Sequence, residues 1–311
     1  MNSRHLWLET TPHCNARCLY CYNVWRAPGS TYPADEPDRE SLSRVLDRSL
    51  DLLTPSALTL SGGEPLLRND LEDLAARARG RVSEIQLTTN GTLVTPARTR
   101  RLHAAGVSHV LIPLLSDRRE TQAELMGLDT FDAACRALLT SREAGLVACA
   151  VFVATRRNLP ELEGSLRVAQ ALGADEWMFL RFLPGGTGLA HRKALEPDPQ
   201  DLVRGLERAD RLGAASGLAV TCGEPLPSAW LAGRNFPHVR FARCGAGRER
   251  LAVDPAGNVR PCEQDPRILG NILDPGFLLP VSSHPECSGC HLVDSWEGSV
   301  TGTRQVPALQ T

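Results

Sequence analysis

The stretch CNARCLYC, residues 14–21, sets three thiols at a C-x3-C-x2-C spacing, with Tyr20 just before the last. Three cysteines this close suit one shared metal centre. A structural zinc site takes four ligands, so three thiols leave it one short, with His13 available as the fourth. An iron–sulfur cube is also normally held by four thiolates. Held by three, it keeps one iron open to a substrate or cofactor. Spacing alone leaves zinc and iron–sulfur both open.

Seven further cysteines complete the chain's 10. Cys244, Cys262, Cys287 and Cys290 form a second group, ending in a C-x2-C pair. Cys135, Cys149 and Cys222 stand alone and read as small buried hydrophobes. The chain opens without a signal-like apolar core, and no window approaches the ~18 apolar residues of a membrane span. A cytoplasmic protein without membrane partners is expected, and that compartment keeps thiols reduced. Lys+Arg 34 against Asp+Glu 36 gives a net charge of −2. That balance argues against a nucleic-acid partner recognised through bulk positive charge.

Outward from the first cysteines, strand and helix alternate. Strands are predicted at 5–11, 57–63, 83–91, 107–115, 146–154 and 176–182. Helices are predicted at 40–53, 70–80, 97–106, 131–145 and 159–173. Such alternation means parallel strands with helices outside. Six units are too few for a closed eight-stranded barrel, so the expected fold is α/β, a partial (β/α)6 barrel. Its continuous apolar runs suggest strands covered on both faces. In parallel α/β folds the chemistry sits at the strands' C-terminal ends. The cysteine loop, SGGEP (61–65) and TTNG (88–91) all fall there. The loop PGGTG (184–188) reads as a plain loop, because no helix starts directly after it. A helix at 198–217 and a seventh short strand at 218–222 follow.

The expected core is 1–222, with a Pro- and Gly-rich linker at 223–243. A Cys-rich unit at 244–297 opens with a hairpin at 248–262, and too small a core there points to a metal staple. Residues 298–311 read as a disordered tail.

CNARCLYC resembles the signature of the radical SAM superfamily, and SGGEP and TTNG match that family's later landmarks in order. The resemblance covers roughly residues 5–222. It implies that Cys14, Cys18 and Cys21 hold a 4Fe–4S cluster whose open iron binds S-adenosylmethionine (SAM). It places Tyr20 near the adenine, Gly62, Gly63 and Glu64 at the methionyl amino group with Pro65 completing that cofactor-binding motif, and Ser116 at the ribose. An electron from a reductase, flavodoxin or ferredoxin would split SAM into methionine and a 5′-deoxyadenosyl radical, which takes a hydrogen atom from substrate. Cys244, Cys262, Cys287 and Cys290 resemble the SPASM/twitch extension of this family and imply a second, auxiliary 4Fe–4S cluster. Four ligands would leave none of its irons open, which suits an electron acceptor in an oxidative reaction. The residue pattern also fits a zinc ribbon.

The substrate is less legible. The expected reaction is oxidation of a small molecule, such as a sugar, cyclitol or natural product, since the first strand starts near residue 5 and leaves no room for a preceding peptide-recognition domain. The alternatives are a maturase of a ribosomally made peptide and a non-catalytic zinc-binding protein. Arg181, on the sixth strand, and Glu224, in CGEP, are the candidate catalytic or substrate-contact residues. A structural ion pair is the competing reading of both. Cys222 is a further candidate hydrogen donor.

Overall fold

A computed structural model describes residues 4–30, 32 and 35–279. The first strand, β1 (His5–Glu9), is followed by α1 (Arg39–Leu53), β2 (Ala57–Ser61), α2 (Leu71–Ala78), β3 (Glu84–Thr88), α3 (Pro96–Ala105) and β4 (His109–Pro113). Then come α4 (Arg119–Met126), α5 (Phe131–Glu143), β5 (Val147–Ala154), α6 (Leu162–Ala171) and β6 (Glu176–Arg181). The chain continues with α7 (Arg192–Leu195), α8 (Pro199–Ser216), β7 (Ala219–Cys222), α9 (Ser228–Leu231) and β8 (Val239–Phe241). Three short strands close the described part: β9 (Arg250–Val253), β10 (Asn258–Arg260) and β11 (Gly270–Asn271).

All join one sheet in the order β11-β10-β9-β1-β2-β3-β4-β5-β6-β7-β8. From β1 to β8 every neighbouring pair is parallel and consecutive in the chain. The order never reverses, so there is no switch point of the doubly wound kind. Right-handed crossovers, the rule for such units, put the crossover helices on one face, and the sheet winds as part of a barrel. The α/β partial barrel expected from the sequence is the fold observed.

Local sequence explains the elements. Asp38 caps α1, its side chain accepting from the Ser41 N–H at 2.7 Å. Leu42, Val45, Leu46, Leu50 and Leu53 repeat at helical spacing and are buried against the sheet. The strands are not covered equally on both faces. In β3, Ile85 and Leu87 are buried while Glu84, Gln86 and Thr88 are half-buried, and β4 and β6 alternate similarly. One face packs under helices. The other lines a cavity of ≈ 300 Å³, which is why that face tolerates polar side chains.

Two regions depart from the sequence reading. The stretch 223–243, read as a linker, carries α9 and β8, and β8 extends the sheet beyond β7. The C-terminal hairpin does not rely on a core of its own. Strand β9 pairs in parallel with β1, and Leu251, Val253, Val259 and Ile272 belong to the main core. A short hairpin gains stability by borrowing a large sheet's hydrophobic face. Cys287, Cys290 and the tail at 298–311 lie outside the described residues.

Candidate functional site

The cysteine loop leaves the C-terminal end of β1 and is clamped from four sides. First, the loop after β2 lies directly beneath it. The Gly63 N–H donates to Thr11 O at 2.7 Å and the Glu64 N–H to His13 O at 2.8 Å. A Cβ on Gly63 would stand 2.0 Å from His13 O, so only glycine fits. Second, the loop after β3 reaches across: Asn90 Nδ2 donates to Asn15 Oδ1 at 2.7 Å, and Asn15 Nδ2 donates to Thr92 Oγ1 at 2.8 Å. Third, the end of α4 accepts from the loop. Arg17 N–H donates to Met126 O at 3.2 Å and Leu19 N–H to Leu125 O at 2.9 Å. Fourth, the PGGTG loop packs on the third cysteine: the Gly188 N–H donates to Cys21 O at 3.0 Å, and a Cβ on Gly186 would come within 2.6 Å of that oxygen. The glycines of PGGTG thus serve close approach to the cysteine loop.

Cys14, Cys18 and Cys21 all lie on this fixed loop, each half-buried. Burial pushes the Cys18 thiol up, and charge on Cys21 and Cys14 pushes it further. Burial also raises Cys21, while the Asn23 N–H and Arg26 pull against it. Mutual repulsion of this kind is relieved when metal shares the thiolates. A zinc reading fares worse. His13, the only proposed fourth ligand, is exposed and faces Glu36 at 3.5 Å. Among the described residues, no three His, Cys, Asp or Glu side chains gather as a single ion requires. A cube makes a different demand, because each thiolate takes its own iron. An all-sulfur donor set on a clamped loop fits a three-cysteine cluster.

The remaining sequence candidates are placed as follows. Tyr20 lines the cavity, its hydroxyl donating to Met126 Sδ at 3.0 Å. Glu64 is buried and its carboxylate already serves three protein donors: Leu66 N–H at 3.0 Å, Thr89 Oγ1 at 2.7 Å and Asn90 N–H at 2.7 Å. It locks SGGEP to the β3 loop. Pro65 is buried at the start of a short 3-10 turn. Ser116 is buried, donates to Glu161, and accepts from the Arg118 N–H at 2.8 Å. Glu161 also accepts from Thr121 Oγ1 at 3.0 Å. The sequence reading missed Glu161, Met126 and the whole of α4. The glycine after α4, Gly127, was the available stop signal.

Arg181 and Glu224 both line the cavity, together with Trp7, Tyr22, Arg250, Glu263 and Gln264. Arg250 lies 4.4 Å over the Trp7 ring, 3.4 Å from Glu263 and 4.0 Å from Glu224. Gln264 Nε2 donates to Glu224 Oε1 at 3.0 Å. Burial pushes the Glu224 carboxyl up to about 7. Cys222 is fully buried, its thiol 3.3 Å from Glu224 O and pushed up to about 12 by burial. Its lone-cysteine reading as a small buried hydrophobe matches this placement. Cys149 is likewise buried and Cys135 half-buried.

In the second cysteine group, Cys244 is half-buried and Cys262 buried. Arg260, itself buried, donates to the carbonyls of Glu263 at 3.0 Å and Asp265 at 3.3 Å, and pairs with Glu9 at the end of β1. The Cys262 loop is thereby tied to the strand that launches the first cysteine loop.

Residues 8–163 match the Radical SAM superfamily. The chain belongs to the radical SAM superfamily. It is a radical SAM enzyme, and membership implies a 4Fe–4S cluster and SAM. The mycofactocin maturase MftC of Mycobacterium tuberculosis strain H37Rv is 30% identical over 307 residues, covering 93% of this chain and 76% of the relative. The PqqA peptide cyclase of Granulibacter bethesdensis is 31% identical over 300 residues, covering 94% and 74%. Streptococcus suis SuiB bound to its precursor peptide SuiA shares the fold, with a TM-score of 0.69 at 16% identity. That likeness covers 84% of this chain, which spans 60% of the length of SuiB. No helix among the described residues is long and apolar enough to cross a membrane.

Proposed function

We propose that this radical SAM enzyme is a maturase of a ribosomally made peptide or protein. The observation that carries the reading is the reach of its likeness to the mycofactocin maturase and the PqqA peptide cyclase, 93% and 94% of the chain. A match that long takes in the last strands and the C-terminal hairpin, which wall the cavity, as well as the cysteine end. These relatives favour the peptide alternative over the small-molecule oxidation expected from the sequence.

In this reading Cys14, Cys18 and Cys21 hold the cluster. The bound cluster and SAM together supply a 5′-deoxyadenosyl radical when an electron arrives from a donor protein. The chain's own residues do the rest. The backbone of Gly62 and Gly63, with Tyr20, Pro65 and Ser116, forms the SAM-facing wall. Glu64 acts through the β3 loop it secures. The apolar inner side chains Leu111, Val151, Val153, Met178 and Leu180 line the cavity and exclude water from a reactive intermediate. Arg181 and Glu224 are the substrate contacts. Cys244 and Cys262, with Cys287 and Cys290, would hold an auxiliary cluster, which would supply an electron acceptor for an oxidative modification.

Anaerobic reconstitution tests this. About eight irons per chain, two cubes, are expected. Strong reductant should release 5′-deoxyadenosine, and a short peptide encoded beside this gene should change mass. Intact clusters without 5′-deoxyadenosine would overturn the radical chemistry. Processing of a sugar or cyclitol with every such peptide unchanged would overturn the peptide assignment.

A further inference from the structure

Among the described residues, buried Arg68 and Arg260 meet acceptors, with only the Arg260 Nε left over, whereas Arg181 has two donors unmet. Arg260 pairs with Glu9 and donates to backbone carbonyls. Arg68, also buried, is held by Asp70 at 2.7 Å and Glu36 at 3.1 Å. Arg181, at the end of β6, is 4% exposed and lines the cavity, yet its Nε and Nη2 find no hydrogen-bond acceptor. Its guanidinium lies 5.7 Å from the Trp230 ring centroid, a contact that holds the plane of the fork without using its N–H groups.

The cavity carboxylates give Arg181 no hydrogen bond, although Glu224 feels its charge. Glu224 takes Gln264 and faces Arg250. Glu263 faces Arg250 through Oε1, and its buried Oε2 has no donor. A guanidinium out of water without acceptors is costly, and its donors recover that cost by meeting an acceptor, most strongly an anion. A planar fork matches the two oxygens of a carboxylate. The idle Oε2 of Glu263, on the same cavity, asks for an N–H or O–H.

We propose that Arg181 is the anchor for a carboxylate of the substrate, and that Glu263 Oε2 accepts from a donor group beside it. A peptide's C-terminal unit offers that pair, and so does an acidic side chain next to a backbone N–H. The inference rests on the maturase reading for the kind of molecule that carries the carboxylate, but its test needs no turnover.

The probes are N-acetyl dipeptides with a free C-terminal carboxylate, the same dipeptides as C-terminal amides, and dipeptide amides bearing a Glu side chain. Each is titrated calorimetrically into the anaerobic holoprotein with saturating SAM and no reductant. The free acids or the Glu-bearing amides should bind roughly ten- to a hundredfold tighter than the uncharged amides. Arg181→Met should erase that preference while leaving the melting temperature unchanged or higher, because its Nε and Nη2 have no hydrogen bond to lose among the described residues. Arg181→Lys should keep part of it.

Equal binding of acids and amides overturns the proposal, as does no acid binding at millimolar concentration. A matching loss of SAM affinity in Arg181→Met overturns it too, since the arginine would then serve the methionyl carboxylate. A lowered melting temperature in that variant would mark Arg181 as structural. Acid-selective binding without any peptide processing would keep the anchor and sink the maturase reading instead.

Discussion

Arg260 and Glu9, 251 residues apart, form a buried ion pair that joins the Cys262 loop to the end of β1. Both side chains are almost wholly out of water. Removing one partner strands the other. Glu9→Ala is expected to cost about 3–5 kcal/mol, whereas the double replacement Glu9→Leu with Arg260→Met should cost much less. Thermal denaturation of the three proteins checks this. Equal losses in the single and double variants would mean that the ion pair is not what couples the two loops.

The first cysteine loop is held by backbone hydrogen bonds to three neighbouring segments and by side-chain hydrogen bonds to the β3 loop. Cys14→Ala, Cys18→Ala and Cys21→Ala should therefore lose about four irons each while keeping the native circular dichroism. Chemical iron and sulfide analysis beside the spectrum decides it. Collapse of the fold in these variants would show that the metal, not the clamp, shapes the loop.

Close approach at Gly63 makes the reverse prediction. Gly63→Ala drives a methyl group into His13 O, 2.0 Å away, and backbone cannot yield as a side-chain tip does. The loop should shift, so iron incorporation should fall although every cysteine is present. The core under α1 and α2 should be untouched. Normal iron content in this variant would refute the steric argument.

Glu64 gathers three donors with two carboxylate oxygens. An amide keeps one acceptor and brings an NH2 group against groups that also donate. Glu64→Gln should cost about 1–3 kcal/mol and loosen TTNG, so that SAM affinity falls through the β3 loop. Hydrogen exchange at Thr89–Gly91, read alongside SAM titration, distinguishes this from loss of a direct contact, which would weaken SAM with no change in exchange.

The Glu224 carboxyl sits at about 7 in the folded chain against an ordinary 4.5, chiefly through burial, with Arg250 pulling it down. The folded state thus holds a proton that the unfolded state releases. The stability from this group is full below about 4.5 and is lost as pH rises through about 7, by at most about 3 kcal/mol. Glu224→Gln should flatten that part of the profile. Parallel urea denaturation curves from pH 4.5 to pH 8 would detect it, and identical slopes in the two proteins would rule it out.

The amino-acid sequence by itself determined the chemistry of the cysteine end and the winding of the sheet. The C-x3-C-x2-C spacing, SGGEP and TTNG are each short contiguous stretches whose residue types carry their function. Apolar runs separated by amphipathic helices imply the parallel α/β winding, because periodicity is a local property. Tertiary structure alone decided where distant groups meet. It put α4 and PGGTG against the cysteine loop, turned Glu64 to the β3 loop, drew the C-terminal hairpin onto β1, and left Arg181 facing a cavity with no hydrogen-bond acceptor for its Nε and Nη2 among the described residues. Nothing within a few residues of these positions encodes such outcomes. They depend on which segments the curved sheet brings together, and a buried charge reveals its purpose only when every neighbour that could have paired with it is known.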